Sequence, residues 1–158
     1  MIHYGEYTGE KKYELIEPGR YEVVIDSAEW AKTKSSEETY MNLVFRIRKD
    51  VEQPNKGRLV FKSIFKRRDT GEFPEDEISQ MLGTIENPKR DFETYDDVLQ
   101  YLCGLKMSVE IVIQPADERY PNSKDKNIIK YLSYEPTKYP NGNSNFVKVD
   151  IDDDDIPF

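Results

Sequence analysis

The amino-acid sequence predicts a mainly β fold interrupted once by short helices, and three observations carry that expectation. Apolar and polar residues alternate with period 2 over residues 40–48, and again over 58–66 and 106–114, as in strands with one buried face. Between residues 74 and 103 the pattern changes to a helical one, with acidic residues at two starts and a glycine after the second. A chain of 158 residues supports one domain around one core.

Residues 1–18 are polar and rich in tyrosine; they are expected to form an arm or a short edge strand, with Glu17, Pro18 and Gly19 making a turn. Residues 20–30 read as the first strand, with Tyr21, Val23 and Ile25 on one face and Glu22, Val24 and Asp26 on the other. A polar loop over 31–38 carries Lys32 and Lys34. The second strand, 40–48, turns Met41, Leu43, Phe45 and Ile47 inward and Tyr40, Asn42, Val44, Arg46 and Arg48 outward. Pro54, Asn55 and Gly57 mark the next turn. In the third strand, 58–66, Leu59, Phe61 and Phe65 oppose Arg58, Lys62 and Lys66, which share their face with Val60 and Ile64. Both faces are partly apolar, so the pattern leaves the core face open. Arg67 and Arg68 extend the charge beyond the strand.

Pro74 followed by Glu75, Asp76 and Glu77 starts a short helix through Leu82, since proline and acids suit a helix N-terminus. Residues 94–103 form a second: Thr94 can cap it, Asp96 and Asp97 fill its first turn and Gly104 ends it. Val98, Leu99, Leu102 and Cys103 make its apolar stripe, which assigns Cys103 to the core. Strand 106–114 follows, with Met107, Val109, Ile111 and Ile113 on one face. A polar loop with Tyr120, Lys124 and Lys126 leads to a last strand over 127–134. Pro136, Pro140, Asn141, Gly142 and Asn143 then mark residues 135–149 as a flexible linker.

The net charge of −8 argues at first against a nucleic-acid partner. It is unevenly spread. Residues 150–158 hold five aspartates, residues 46–68 have a local net of +7, and residues 69–104 one of −8. A basic strip therefore lies within an acidic chain.

Several function classes lack their ingredients. No apolar run approaches the ~20 residues of a membrane span, and Met1, Ile2, His3, Tyr4 and Gly5 do not open a signal peptide. Cys103 is alone, so no internal disulfide forms and a reducing cytoplasm is the expected compartment. One cysteine and one histidine, His3, cannot make a Cys/His zinc site, and no glycine-rich phosphate loop follows a strand. A binder rather than an enzyme is expected, with no metal and no cofactor.

Three strands, a helical segment and two strands is the element order of the OB-fold, a five-stranded Greek-key barrel with the helical segment between strands 3 and 4. That places the domain at residues 19–134. In such barrels strands 2 and 3 with loops 1–2 and 4–5 make the nucleic-acid surface. Those places hold Arg46, Arg48, Arg58, Lys62, Lys66, Arg67 and Arg68, then Trp30, Lys32 and Lys34, then Tyr120, Lys124 and Lys126. Single strands are bound by cations tracking phosphate and rings stacking on bases, with Trp30 and Tyr40 the preferred rings.

The end of the chain has a different logic. Asp152, Asp153, Asp154 and Asp155 are solvated charge, whereas Ile156, Pro157 and Phe158 offer an apolar plug beside the terminal carboxylate. Residues 150–158 thus read as a docking tip. This ending resembles the acidic tip of bacterial single-stranded DNA-binding proteins, which implies recruitment of replication, recombination and repair enzymes.

The body resembles a family of phage-encoded proteins, mostly of unknown function and in part single-stranded DNA-binding proteins. The matching stretches are Pro18-Gly19-Arg20-Tyr21-Glu22-Val23-Val24-Ile25, Thr33-Lys34-Ser35, Leu43-Val44-Phe45-Arg46-Ile47, Lys56-Gly57-Arg58 and Leu102-Cys103-Gly104-Leu105-Lys106. Ser36 stands where that family's loop has glycine. The resemblance implies a phage-encoded protein that coats single-stranded DNA in the host cytoplasm, without sequence preference. An OB-fold adaptor for proteins, with weak or no DNA binding, is the alternative; RNA as ligand and self-association stay open.

Overall fold

The computed structural model describes residues 1–5 and 14–142. Residues 6–13 of the expected N-terminal arm, the later part of the linker and the whole tip from Asp150 to Phe158, including Asp152, Asp153, Asp154, Asp155, Ile156 and Pro157, lie outside the described residues.

A curled antiparallel sheet wraps one core. The strands are β1 (Gly19–Lys32), β2 (Thr39–Ile47), β3 (Leu59–Ile64), β4 (Lys106–Gln114), β5 (Lys126–Ile129) and a two-residue β6 (Glu135–Pro136). Their order is β3-β2-β1-β4-β5, with β6 also on β4. Two short helices, α1 (Glu75–Leu82) and α2 (Tyr95–Leu102), lie in the chain between β3 and β4. Long strands that curl in this way enclose their own inner face, and the inward rows of β1, β2 and β4 meet there. Val23, Met41, Leu43, Phe45, Ile47, Met107, Val109 and Ile111 are fully buried, capped by Met81, Leu99 and Leu102 of the helices. Among the described residues no helix is long and apolar enough to cross a membrane.

The helices start as expected. Thr94 Oγ1 accepts the Asp97 amide at 3.2 Å, satisfying one of the donors a helix start leaves unpaired. Pro74 precedes α1 in an extended conformation, with three acids in the first turn.

Three expectations need correction, and the open choice of face on β3 is decided. Cys103 is exposed, because α2 stops at Leu102 and Cys103, already extended, leaves the apolar stripe. The strand expected over 127–134 ends at Ile129: Leu132 takes a positive φ, and the turn brings Tyr134 into the core beside Phe45. Arg48 is buried, because β2 ends one residue earlier and the chain folds over it. On β3 the core face is that of Val60, Lys62 and Ile64, which pair with Phe45, Leu43 and Met41. Lys62 therefore points toward the core, and Leu59, Phe61 and Phe65 point out.

A bulge in β1 has a further effect. The β1–β2 register slips between Ile25 and Ser27, so that beyond it Ala28 and Trp30, opposite Leu43 and Met41, take the inner side.

Candidate nucleic-acid interface

The outer face of β2 and β3 is built by cross-strand pairing. Val44 sits opposite Phe61, Asn42 opposite Ser63 and Arg46 opposite Leu59. Tyr40 and Phe65 stack just past the paired region, ring centroids 4.7 Å apart and planes 27° from parallel. Phe61 is 56% exposed and Phe65 40%, an unusual amount of ring surface in water. Sequence reasoning left both rings undecided. Their signal was the pair of β-branched residues at 60 and 64, which suit a packed sheet face, against rings at 61 and 65.

Trp30 lies elsewhere. It shares the side of Met41, whereas Tyr40 lies opposite Ala31, so the two rings expected to act together are on opposite sides of the β1–β2 pair. The Trp30 ring is 5.5 Å from Phe73, which meets Tyr95 edge-on at 4.8 Å. Its indole Nε1 donates to Asp96 Oδ1. Lys66 reaches the same cluster, with Nζ 5.7 Å from the Phe73 centroid, a cation–π distance.

Much of the basic strip is already neutralised. Arg46 Nη2 pairs with Asp26 Oδ2 at 3.1 Å, while Nη1 donates to the Gly57 carbonyl. Arg48 forks onto Asp50 at 2.9 and 2.7 Å and donates to Thr137 Oγ1. Lys62 pairs with Glu77 at 3.5 Å. Arg67 forks onto Asp69 at 3.0 and 2.9 Å. Arg58 donates to the Glu14 carbonyl and to Asn55 Oδ1. Arg48 is thus buried and Lys62 is turned toward the core.

The remaining cations lie at strand ends and in loops. Among the described residues no carboxylate pairs with Lys32, Lys34, Lys66, Arg68, Lys124 or Lys126, and all six are exposed. Lys32 ends β1 and Lys34 lies in the tight turn to β2, which is closed by the Thr33 amide on the Glu38 carbonyl at 2.9 Å. Lys66 and Arg68 follow β3. Lys124 and Lys126 line a groove beside the end of β4. Tyr120, 63% exposed, stands in the loop before them, with Arg119 Cζ 5.8 Å from its ring.

The matching family model, described as a protein of unknown function (DUF669), covers residues 5–136. The chain belongs to that family. The match spans both helices and every strand and ends on the last residue of β6, so the curled sheet with its two helices is the part matched and the tip lies beyond it. No curated protein matches the sequence.

The segment expected to begin a free linker is held down over residues 135–142. Pro136 and Glu135 pair with Met107 and Ser108 of β4, and Arg20 binds Glu135 at 3.3 Å. Thr137 is hydrogen-bonded to both Arg48 and Glu22. Lys106 Nζ donates to the Pro140 carbonyl at 3.2 Å. Gly142, at φ +81°, lies so close to Asp50 that a Cβ would stand 2.6 Å from its carbonyl oxygen. Gln53 closes the network, bonding the Glu22 amide and the Glu22 and Arg48 carbonyls.

Proposed function

We propose that this protein binds single-stranded DNA with little sequence preference, without catalysis, and presents its C-terminal tip to replication, recombination or repair enzymes. The observation that carries the reading is the exposed ring surface of Phe61 and Phe65, with the half-buried Tyr40 stacked on Phe65, together with exposed cations at strand ends and in loops that no described carboxylate neutralises. Rings that stack on bases and cations that track phosphate are what sequence-tolerant binding of single strands needs. The strand order and the helical segment between β3 and β4 agree with an OB-fold barrel, whose nucleic-acid face is this one. The tip is like that of bacterial single-stranded DNA-binding proteins, and the reading includes a phage origin and a host-cytoplasmic site of action.

Titrating labelled oligo(dT), a duplex and an RNA of equal length tests it. Tight, salt-dependent binding to oligo(dT) and weak binding to duplex is expected; equal affinity for duplex would overturn the reading. The same titration with RNA decides between the two kinds of single strand.

The alternative, an adaptor for proteins, draws support from the ion pairs of Arg46, Lys62 and Arg67, which leave the strip far less basic than its +7. Weak binding to every nucleic acid, with tip-dependent capture of an enzyme preserved, would select it.

A further inference from the structure

Two grooves meet at Lys126. One, of about 330 Å³, runs between β3 and β5 and is lined by Leu59, Phe61, Ser63, Asp125, Lys126 and Ile128, among others. The second, of about 610 Å³, lies beside it where β4 passes to β5 and includes Ser123, Lys124 and Lys126. The first exists because β3 pairs only with β2 and β5 only with β4, so the two strand edges face each other unjoined. Val60 and Leu15 join its lining, while the exposed Phe61 ring adds an aromatic wall.

The charges around the pair of grooves are unequal in availability. Asp125 Oδ1 accepts the Ala116 amide at 2.7 Å, and Asp117 is forked by Arg119 at 3.1 and 2.8 Å. Asp117 is thus neutralised by a cation and Asp125 is tied at one oxygen but keeps its charge, whereas Lys124 and Lys126 meet no described carboxylate within pairing distance. An apolar slot walled by a ring, next to a polar slot with two ammonium groups, matches the two halves of a nucleotide.

The spacing on β3 points the same way. Phe61 and Phe65 are four residues apart on one face, which places them about 13 Å from each other along the strand. Successive bases in a stacked strand are about 3.4 Å apart. About four stacked bases span that distance, so Phe61 meets a base several nucleotides away from the one on Phe65, at a ring that borders its own slot.

We infer that the seam between β3 and β5 holds one nucleotide of a bound single strand. The base lies against Phe61 and the phosphate lies at Lys124 and Lys126. This rests on the single-strand reading above and adds to it a subsite off the Tyr40–Phe65 platform.

The test uses the full-length protein and oligo(dT) carrying one 5-iodouracil, photocrosslinked and mapped by mass spectrometry, with affinities of variants measured alongside. A crosslink at Phe61 is expected. Phe61→Ala should weaken binding roughly 5- to 150-fold, the range of one lost stacking contact, and Lys126→Ala should make the log–log salt slope shallower by about 0.7. Phe61 is exposed, so its truncation leaves the core intact; a thermal melt checks this, and the crosslink needs no variant. Crosslinks confined to Tyr40 and Phe65, with Phe61→Ala and Lys126→Ala binding as wild type does, would overturn the subsite and leave the single-strand reading standing. No binding of oligo(dT) by the wild type would overturn both. Loss of self-association in Phe61→Ala at unchanged DNA affinity would instead assign the seam to pairing between copies.

Discussion

Lys62 Nζ lies 3.5 Å from Glu77 Oε1, tying the inner face of β3 to the first turn of α1. The carboxylate is almost fully buried and the ammonium four-fifths so. Burial pushes the Glu77 carboxyl above its ordinary range, and Lys62 opposes that push. Such a pair adds little net stability, but breaking it strands a charge.

Lys62→Met should therefore cost about 3 kcal/mol at neutral pH, the low end for a broken buried pair because Lys62 keeps some solvent contact. A raised folded-state pKa on an acid means that stability falls as pH rises through that value. The loss in Lys62→Met should accordingly shrink toward acid pH, where Glu77 is protonated in both states. Chemical denaturation at several pH values checks this. A loss that is the same at every pH would show that Glu77 is not the partner that matters.

Asp50 has the opposite sign. The two hydrogen bonds from Arg48 hold its carboxyl below the usual carboxylate range. Its contribution is present at neutral pH and is lost as pH falls from that range through the depressed value. Asp50→Asn should lower the melting temperature at pH 7 and flatten the wild type's loss of stability in acid. Melts across pH 2–7 give the comparison.

The rings should separate in binding assays. Tyr40→Ala or Phe65→Ala should weaken oligo(dT) binding by roughly 1–3 kcal/mol. Trp30→Ala should cost less, because its ring faces Phe73 and its indole is held by Asp96. A larger effect from Trp30 than from Tyr40 would move the contact surface to the helical side of the barrel.

Salt dependence should come from the cations without described partners. Four or five phosphate contacts give a slope near −3, at roughly −0.7 per contact. Lys66→Ala and Lys124→Ala should each make the slope shallower, whereas Arg67→Ala, which breaks the fork on Asp69, should change it little.

The tip should act on two partners with opposite sign. Removing residues 150–158 takes away five carboxylates that compete with phosphate, so single-strand affinity should rise, more at low salt than at high. The same deletion should abolish capture of replication and repair enzymes. Removing Phe158 alone should leave DNA affinity nearly unchanged and lose that capture. Undiminished capture would refute the docking role of the terminus.

Alternation made the inner face of β2 legible, since Met41, Leu43, Phe45 and Ile47 are all fully buried. The cap of α2 was equally readable, because Thr94 and Asp97 act within one turn. What escaped the sequence depended on partners distant in the chain. The inward direction of Lys62 requires Glu77, and the burial of Arg48 requires Thr137, 89 residues away. Trp30 changed sides through a single extra residue in β1, which period-2 reading cannot anticipate when both faces tolerate it. Charge counted along the strand likewise overstated what the surface offers, because the acids that neutralise Arg46 and Lys62 come from β1 and α1.

The clamp on residues 135–142 sets a distance. A chain spans at most about 3.3–3.6 Å per residue, so from Gly142 the last residue, Phe158, can stand no farther than about 55 Å. A leash leaving at the end of the core, at Tyr134, would have reached about 80 Å. Arg20, Arg48, Lys106 and the glycine-only fit at residue 142 thus act as a stop on a tape measure. Any enzyme that grips Phe158 is kept within that shorter radius of the barrel, and so of whatever the barrel holds.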